Sequence, residues 1–158
     1  MDVVLVAPEI PQNTGNVARS CVATGSTLHL VEPLGFSLED RYLKRAGMDY
    51  WRHLSLQVHS CLEELFDEID KESCYFVSKK ASHHYCEPRY AADSLLVFGC
   101  ESRGLPEDLI AENRERSLRI PMLPGVRSLN LSSAVAVVLY EALRQVGFSG
   151  LQRRFDYG

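Results

Sequence analysis

The sequence predicts an α/β domain with a mainly parallel sheet flanked by helices, and three observations carry that prediction. Short runs such as Val3–Ala7 and Leu95–Phe98 are apolar throughout, and Leu28–Val31 is interrupted only by His29, the mark of strands buried on both faces. Helical patterns separate them, so strands and helices alternate. Near the end, apolar residues recur three and four apart from Leu131 to Val146 (Leu131, Val135, Val138, Leu139, Ala142, Leu143, Val146), which predicts one long helix. The chain has 158 residues, 46% hydrophobic and 24% charged, a balance suited to one domain with a sizeable core.

The elements follow in order. After the strand Val3–Ala7 comes a loop from Pro8 to Thr14. Asn13 or Thr14 is placed to cap a helix running to Thr24 and closed by Gly25. Leu28–Val31 is the second strand. Ser37 and Asp40 form a capping-box pattern for a helix reaching Ala46 and ended by Gly47. A short strand is expected at Leu54–Val58, and a second capping box, Ser60 with Glu63, opens a helix to about Asp70. Tyr75–Ser78 and Leu95–Phe98 are strands separated by the polar loop Lys79–Asp93. Pro106 suits the first turn of a helix over Glu107–Glu112. Leu118–Ile120 is the last strand before the long helix, and Gly147 sits where that helix should stop.

Residues 1–150 therefore read as one domain, and Leu151–Gly158 as a loosely ordered tail. The long helix is unusual because Ala134–Leu139 is apolar all round and carries valines, which are poor helix formers. Such a helix needs packing on more than one side, within the fold, against a second subunit, or both.

Composition excludes several classes. The opening MDVVLVAPE is too short and too acidic for a signal peptide, and no run approaches a membrane span. The five cysteines are widely spaced with no C-x-x-C pair, so reduced thiols in a cytoplasmic protein are expected, with neither disulfides nor zinc. The histidines have no metal-ligand spacing, and His83 and His84 read as solvated loop residues. No metal site is proposed. A net charge of −4 means that any nucleic-acid surface is a local basic patch. Candidates for phosphate contact are Arg41, Lys44, Arg45, Arg52, Lys79, Lys80, Arg103 and Arg127.

Three strand-following loops combine glycine or proline with an arginine and with amide, hydroxyl or carboxylate groups. They are P-E-I-P-Q-N-T-G-N-V-A-R-S, F-G-C-E-S-R-G-L-P and I-P-M-L-P-G-V-R-S-L-N. In an open α/β sheet, ligands sit beyond the carboxyl ends of the strands, where these loops lie. The glycine spacing of a dinucleotide site is missing, and no G-K-[ST] exists for a phosphate loop.

Together and in this order, the three motifs resemble the SPOUT superfamily of S-adenosylmethionine-dependent RNA methyltransferases. Within it, the chain is most similar to the minimal 2′-O-ribose branch acting on tRNA. H-L-V-E-P-L-G-F and L-K-R-A-G-M-D-Y add a likeness to enzymes that methylate cytidine or uridine at wobble nucleotide 34. The resemblance implies a C-terminal trefoil knot, contrary to the usual rule that chains do not thread their own loops. It further implies a homodimer and the anticodon stem-loop of tRNA as partner. Methylation of another tRNA or rRNA nucleotide stays open as an alternative, as does a non-catalytic RNA-binding protein on the same scaffold.

The resemblance also assigns roles. Arg19 is the arginine beside the reactive ribose, holding phosphate or the 2′-oxygen. Val77, Gly99, Ile120, Ser128 and Leu129 line the cofactor pocket, with Gly99 letting backbone approach the ligand closely. Glu101 either contacts the cofactor or braces its loop through Arg103. Asn130 orients the reactants, caps the long helix, or does both. Asn16 helps to shape the RNA-facing surface, and Tyr140 approaches the active site of a neighbouring subunit or only packs in the dimer.

Overall fold

The computed structural model describes residues 1–38 and 51–154. The helix expected from Ser37 to Ala46 lies outside them from residue 39 on, as do Arg41, Lys44 and Arg45. Seven strands form one sheet: β1 (Asp2–Val6), β2 (Leu28–Val31), β3 (Leu56–His59), β4 (Cys74–Val77), β5 (His83–His84), β6 (Leu95–Phe98) and β7 (Ser117–Arg119). Their order is β3-β2-β1-β6-β4-β7-β5, and every pairing is parallel. Among the described residues the α-helices are α1 (Pro11–Thr24), α2 (Leu62–Glu68), α3 (Glu107–Glu112) and α4 (Leu131–Gln145).

The period of two along a strand splits the core between the faces of the sheet. Val3 and Leu5 of β1, with Leu96 and Phe98 of β6, pack with the buried sides of α1 and α4. Val4 and Val97 on the opposite face join Phe76 of β4, Leu65 of α2 and Ile110 of α3. Burial on both faces is why the central strands carry no alternation of polar and apolar residues.

Helix α4 buries Leu131, Val135, Val138, Leu139, Ala142 and Leu143, the stripe that the spacing predicts, and Val146 follows as its C-cap. Its end is closed by Phe148 N–H donating to Leu143 C=O at 2.8 Å and Gly147 N–H to Arg144 C=O at 3.1 Å. Gly147 has φ +76°, the left-handed conformation this closure requires. Beyond it, Leu151 packs against the core, so the tail is tethered at its start.

Four expectations are corrected. Helix α1 begins at Pro11 after Ile10, so neither Asn13 nor Thr14 caps it. Pro11 has the backbone angle of a first turn and no N–H to satisfy, which frees Asn13 for other partners. Helix α2 starts one residue later than a box from Ser60 requires, and it stops at Glu68. The Ser60 amide and hydroxyl accordingly donate to Glu64, both at 2.6 Å, and not to Glu63. The loop Lys79–Asp93 is not wholly irregular: His83 and His84 form β5 on the edge of the sheet beside β7. Finally, the strand expected at Leu54–Val58 is displaced to Leu56–His59, in register with β2.

Leu139 is fully buried in the middle of α4. Leu139→Ala is expected to lower unfolding stability by about 2–5 kcal/mol through lost contact and a residual cavity. A urea titration checks this as a fall in midpoint at unchanged slope.

Candidate active site

The three loops singled out in the sequence meet in one cavity of about 790 Å³ at the carboxyl ends of β4, β6 and β7. Val77 and Ile120 contribute apolar side chains from the ends of β4 and beyond β7. Gly99 and Glu101 lie in the loop after β6, and Ser128, Leu129 and Asn130 in the approach to α4. All six residues expected to line a cofactor pocket are therefore brought together, and Asn130 with them. Lys79, Lys80, Arg103 and Arg127 also border the cavity. Lys80 is ion-paired with Glu107, while Lys79, Arg103 and Arg127 form no ion pair among the described residues.

Arg19 and Tyr140 stand apart. Arg19 is exposed on α1 with Gln12, Asn16 and Ala23, opposite the buried Val17, Ala18 and Cys21. Tyr140 is 47% exposed on α4, next to the outward-facing Val137 at 38%. Neither lines the cavity of this chain.

The loop after β6 is tight, and its geometry gives Gly99 a structural role besides lining the cavity. Gly104 N–H donates to Cys100 C=O at 2.9 Å, folding Gly104 and Leu105 back over the strand end. A Cβ at residue 99 would lie 2.0 Å from the Gly104 carbonyl carbon and 2.1 Å from the Leu105 nitrogen. Glycine is required by the loop's own backbone, before any ligand is considered.

Glu101 braces the site, but not through Arg103. One oxygen accepts from the Glu9 amide at 2.8 Å, and the other from the Ile10 amide at 3.3 Å and the Asn13 Nδ2 at 2.9 Å. The donors are amides because the residues leading into α1 lie against this loop and present the Glu9 and Ile10 N–H groups there. Glu9 reaches the other way, accepting from the Ser102 amide at 2.9 Å and its hydroxyl at 2.7 Å. Two carboxylates thus clamp the first loop to the second. Asn130 joins the third, donating from Nδ2 to Asn13 Oδ1 at 2.8 Å and capping α4 by accepting from the Ser132 amide at 2.9 Å. Capping by Asn130 and bracing by Glu101 are as the sequence suggested, but the pairings that join the three loops escaped sequence reasoning. Their only sequence signal is a carboxylate in each of two strand-following loops.

The hydrogen bonds from the Ser102 hydroxyl, and then from its amide, hold the Glu9 carboxyl below the usual carboxylate range. Burial pushes the Cys21 thiol up to about 12 and the Cys74 thiol to about 11, so neither is a ready nucleophile. All five cysteines are free. Among the described residues, no cluster of His, Cys, Asp or Glu is suited to hold a metal ion, and no helix is long and apolar enough to cross a membrane.

A wholly parallel sheet whose strand ends open on a cavity walled partly by apolar side chains and bordered by Lys79, Lys80, Arg103 and Arg127 defines an α/β protein with a pocket of the size and polarity of an organic-ligand site. Residues 1–140 match the SpoU rRNA Methylase family, and the chain belongs to that family of methyltransferases. It is 47% identical over 150 residues to the tRNA (cytidine(34)-2′-O)-methyltransferase of Methylovorus glucosotrophus, covering 94% of this chain and 97% of that one. A solved structure concerning 2-OH methylation of C/U34 on tRNA matches with TM-score 0.87 and 46% identity, over 92% of this chain and 95% of its own. The AdoMet-bound rRNA methyltransferase of Sinorhizobium meliloti matches with TM-score 0.78 and 25% identity, over 91% of this chain and 56% of its own.

Two outcomes are expected. Gly99→Ala forces the 99–105 loop off the strand end, lowering stability by about 3 kcal/mol or more, at the upper end for single substitutions; chemical denaturation measures it. Because the folded-state pKa of Glu9 is depressed, its clamp contributes above the unfolded pKa and is lost as pH falls through the folded one. Glu9→Gln should therefore melt below wild type at pH 7, and the two should converge as pH falls through and below the ordinary glutamate range.

Proposed function

We propose that this protein transfers a methyl group from S-adenosylmethionine to the ribose 2′-hydroxyl of wobble nucleotide 34, a cytidine or modified uridine, in tRNA. The observation that carries this reading is the convergence of all three motif loops on one cavity. The donor set fits the cofactor. A cavity of about 790 Å³ lies in the range for a nucleoside-sized ligand. Val77, Ile120 and Leu129 can enclose an adenine ring, loop backbone groups can read its edge, and the cationic rim suits an amino-acid carboxylate. When bound, the cofactor supplies an activated methyl group on a sulfonium, so the protein's work is mainly to position the acceptor.

The 2′-hydroxyl is a very weak acid, and charge grows on its oxygen as the new O–C bond forms and the proton leaves. In this reading the Arg19 guanidinium holds that oxygen or the adjoining phosphate and stabilises the developing charge. Asn130, at the junction of cavity and α4, orients the reacting groups. Arg52, Lys79, Arg103 and Arg127 would take RNA phosphates, with the bases of the anticodon loop splayed as single-stranded recognition requires.

A homodimer completes the reading. Ile10, Leu129, Val137 and Tyr140 are large apolar side chains left between 38% and 47% exposed around the start and outer face of α4. A second copy would cover them and bring Tyr140 towards the neighbouring site. A trefoil knot in the C-terminal segment and a cytoplasmic location, where free thiols persist, belong to the same proposal.

Nucleoside mass spectrometry on tRNA incubated with the protein and S-adenosylmethionine tests it. A 2′-O-methylated cytidine or uridine at position 34 is expected. Arg19→Ala should lower the rate by at least about 100-fold, the scale of losing one stabiliser of an oxyanion. Methylation at another nucleotide would overturn the substrate, and failure to bind S-adenosylmethionine would overturn the reaction.

A further inference from the structure

We propose that Asn13 is a positioning residue for methyl transfer. It holds the starts of α1 and α4 at one separation, so that the helix bearing Arg19 keeps its register against α4. The proposal rests on the reading above, with the cofactor in the cavity and Arg19 at the ribose.

The hydrogen bonds around Asn13 run one way. The Ser132 backbone amide can only donate, and it donates to Asn130 Oδ1. Asn130 must then present Nδ2, which donates to Asn13 Oδ1 at 2.8 Å. Asn13 in turn presents its own Nδ2, which donates at 2.9 Å to Glu101 Oε1. A fixed donor at one end and a carboxylate at the other leave no freedom to flip either amide. Asn13 is 5% exposed, so water is a poor substitute for either bond.

Residue 13 therefore needs a donor and an acceptor on one short branch, which a primary amide supplies. Aspartate has the same shape but would set two carboxylates against each other. Alanine would leave Asn130 Nδ2 without its acceptor. These partners are 88 and 117 residues away in sequence, so helix formation alone does not require them. What they accomplish is spatial. Arg19 lies six residues along the same helix, about 9 Å by helical rise, and tilting or rotating the first turn carries the guanidinium with it. Near-attack geometry is sensitive to shifts of about 1 Å, which cost about 100-fold.

The test compares wild type, Asn13→Asp, Glu101→Gln and the double variant. Measured for each are kcat and KM for tRNA at saturating S-adenosylmethionine, cofactor affinity by calorimetry, and amide exchange at Ser132 and the first turn of α1. Asn13→Asp is expected to lower kcat about 10- to 100-fold, with a much smaller change in KM and an unchanged folded fraction. In the double variant the amide introduced at position 101 can donate to the carboxylate introduced at position 13. Its kcat should therefore recover at least about tenfold over Asn13→Asp, which returns the lower part of that loss.

A kcat within about twofold of wild type in Asn13→Asp, where a 1 Å misplacement would cost far more, would overturn the proposal. So would a double variant no better than the product of the two single effects. If the wild type methylates no tRNA, the methyltransferase reading falls and the exchange data judge the linkage alone. Protection lost together at α1 and Ser132 in Asn13→Asp, and regained in the double variant, supports it; unchanged protection overturns it.

Discussion

Two carboxylates facing in opposite directions hold the working end of this molecule together. Glu101 accepts from the Glu9 and Ile10 amides and from Asn13, while Glu9 accepts from the Ser102 amide and hydroxyl. Each belongs to a loop leaving a different strand, and each is satisfied by the other's loop. A carboxylate at the start of α1 also meets the positive end of the helix dipole. Linked, the two loops form a wall of the cavity, and the tight turn at Gly99 leaves little room for the second loop to lie elsewhere.

The sheet makes that linkage possible. Because β1 and β6 are adjacent and parallel, their carboxyl ends open on the same side and their loops emerge as neighbours. Cores on both faces hold the strands in register, Val3 and Leu5 against α1 and α4, Val4 against the side covered by α2. A one-residue slip of β1 would exchange these sets and turn the loop away from its partner. The rigid sheet and the short polar clamp thus act in series. The first sets where the loops start, and the second sets where they finish.

Much of the fold was legible because its elements advertise themselves locally. Leu28–Val31 and Leu95–Phe98 are bounded where their apolar runs end, and the buried stripe of α4 is its sequence periodicity. Local signals failed where a distant partner intervened. Asn13 has the residue type of a helix cap, yet Pro11 starts the helix earlier and Asn13 turns to Glu101 and Asn130. His83 and His84 look like loop residues and become an edge strand only because β7 lies beside them. Glu101 was recognisable as a brace, but its partner was not, since the nearest cation in sequence, Arg103, is not what it holds.

By itself the sequence determined the alternation of strands and helices, the three polar strand-following loops, and which residues face the core. These depend on periodicity, backbone restriction and burial, all of which act within a few residues. Only the tertiary structure decided that the three loops share one cavity, that Gly99 is required by Gly104 and Leu105, and that Glu9, Glu101, Asn13 and Asn130 form one network. The hydrogen bonds of that network join residues about 90 to 120 positions apart. No local pattern encodes such a pairing, because hydrogen-bond partners are selected by the position the packed sheet gives them.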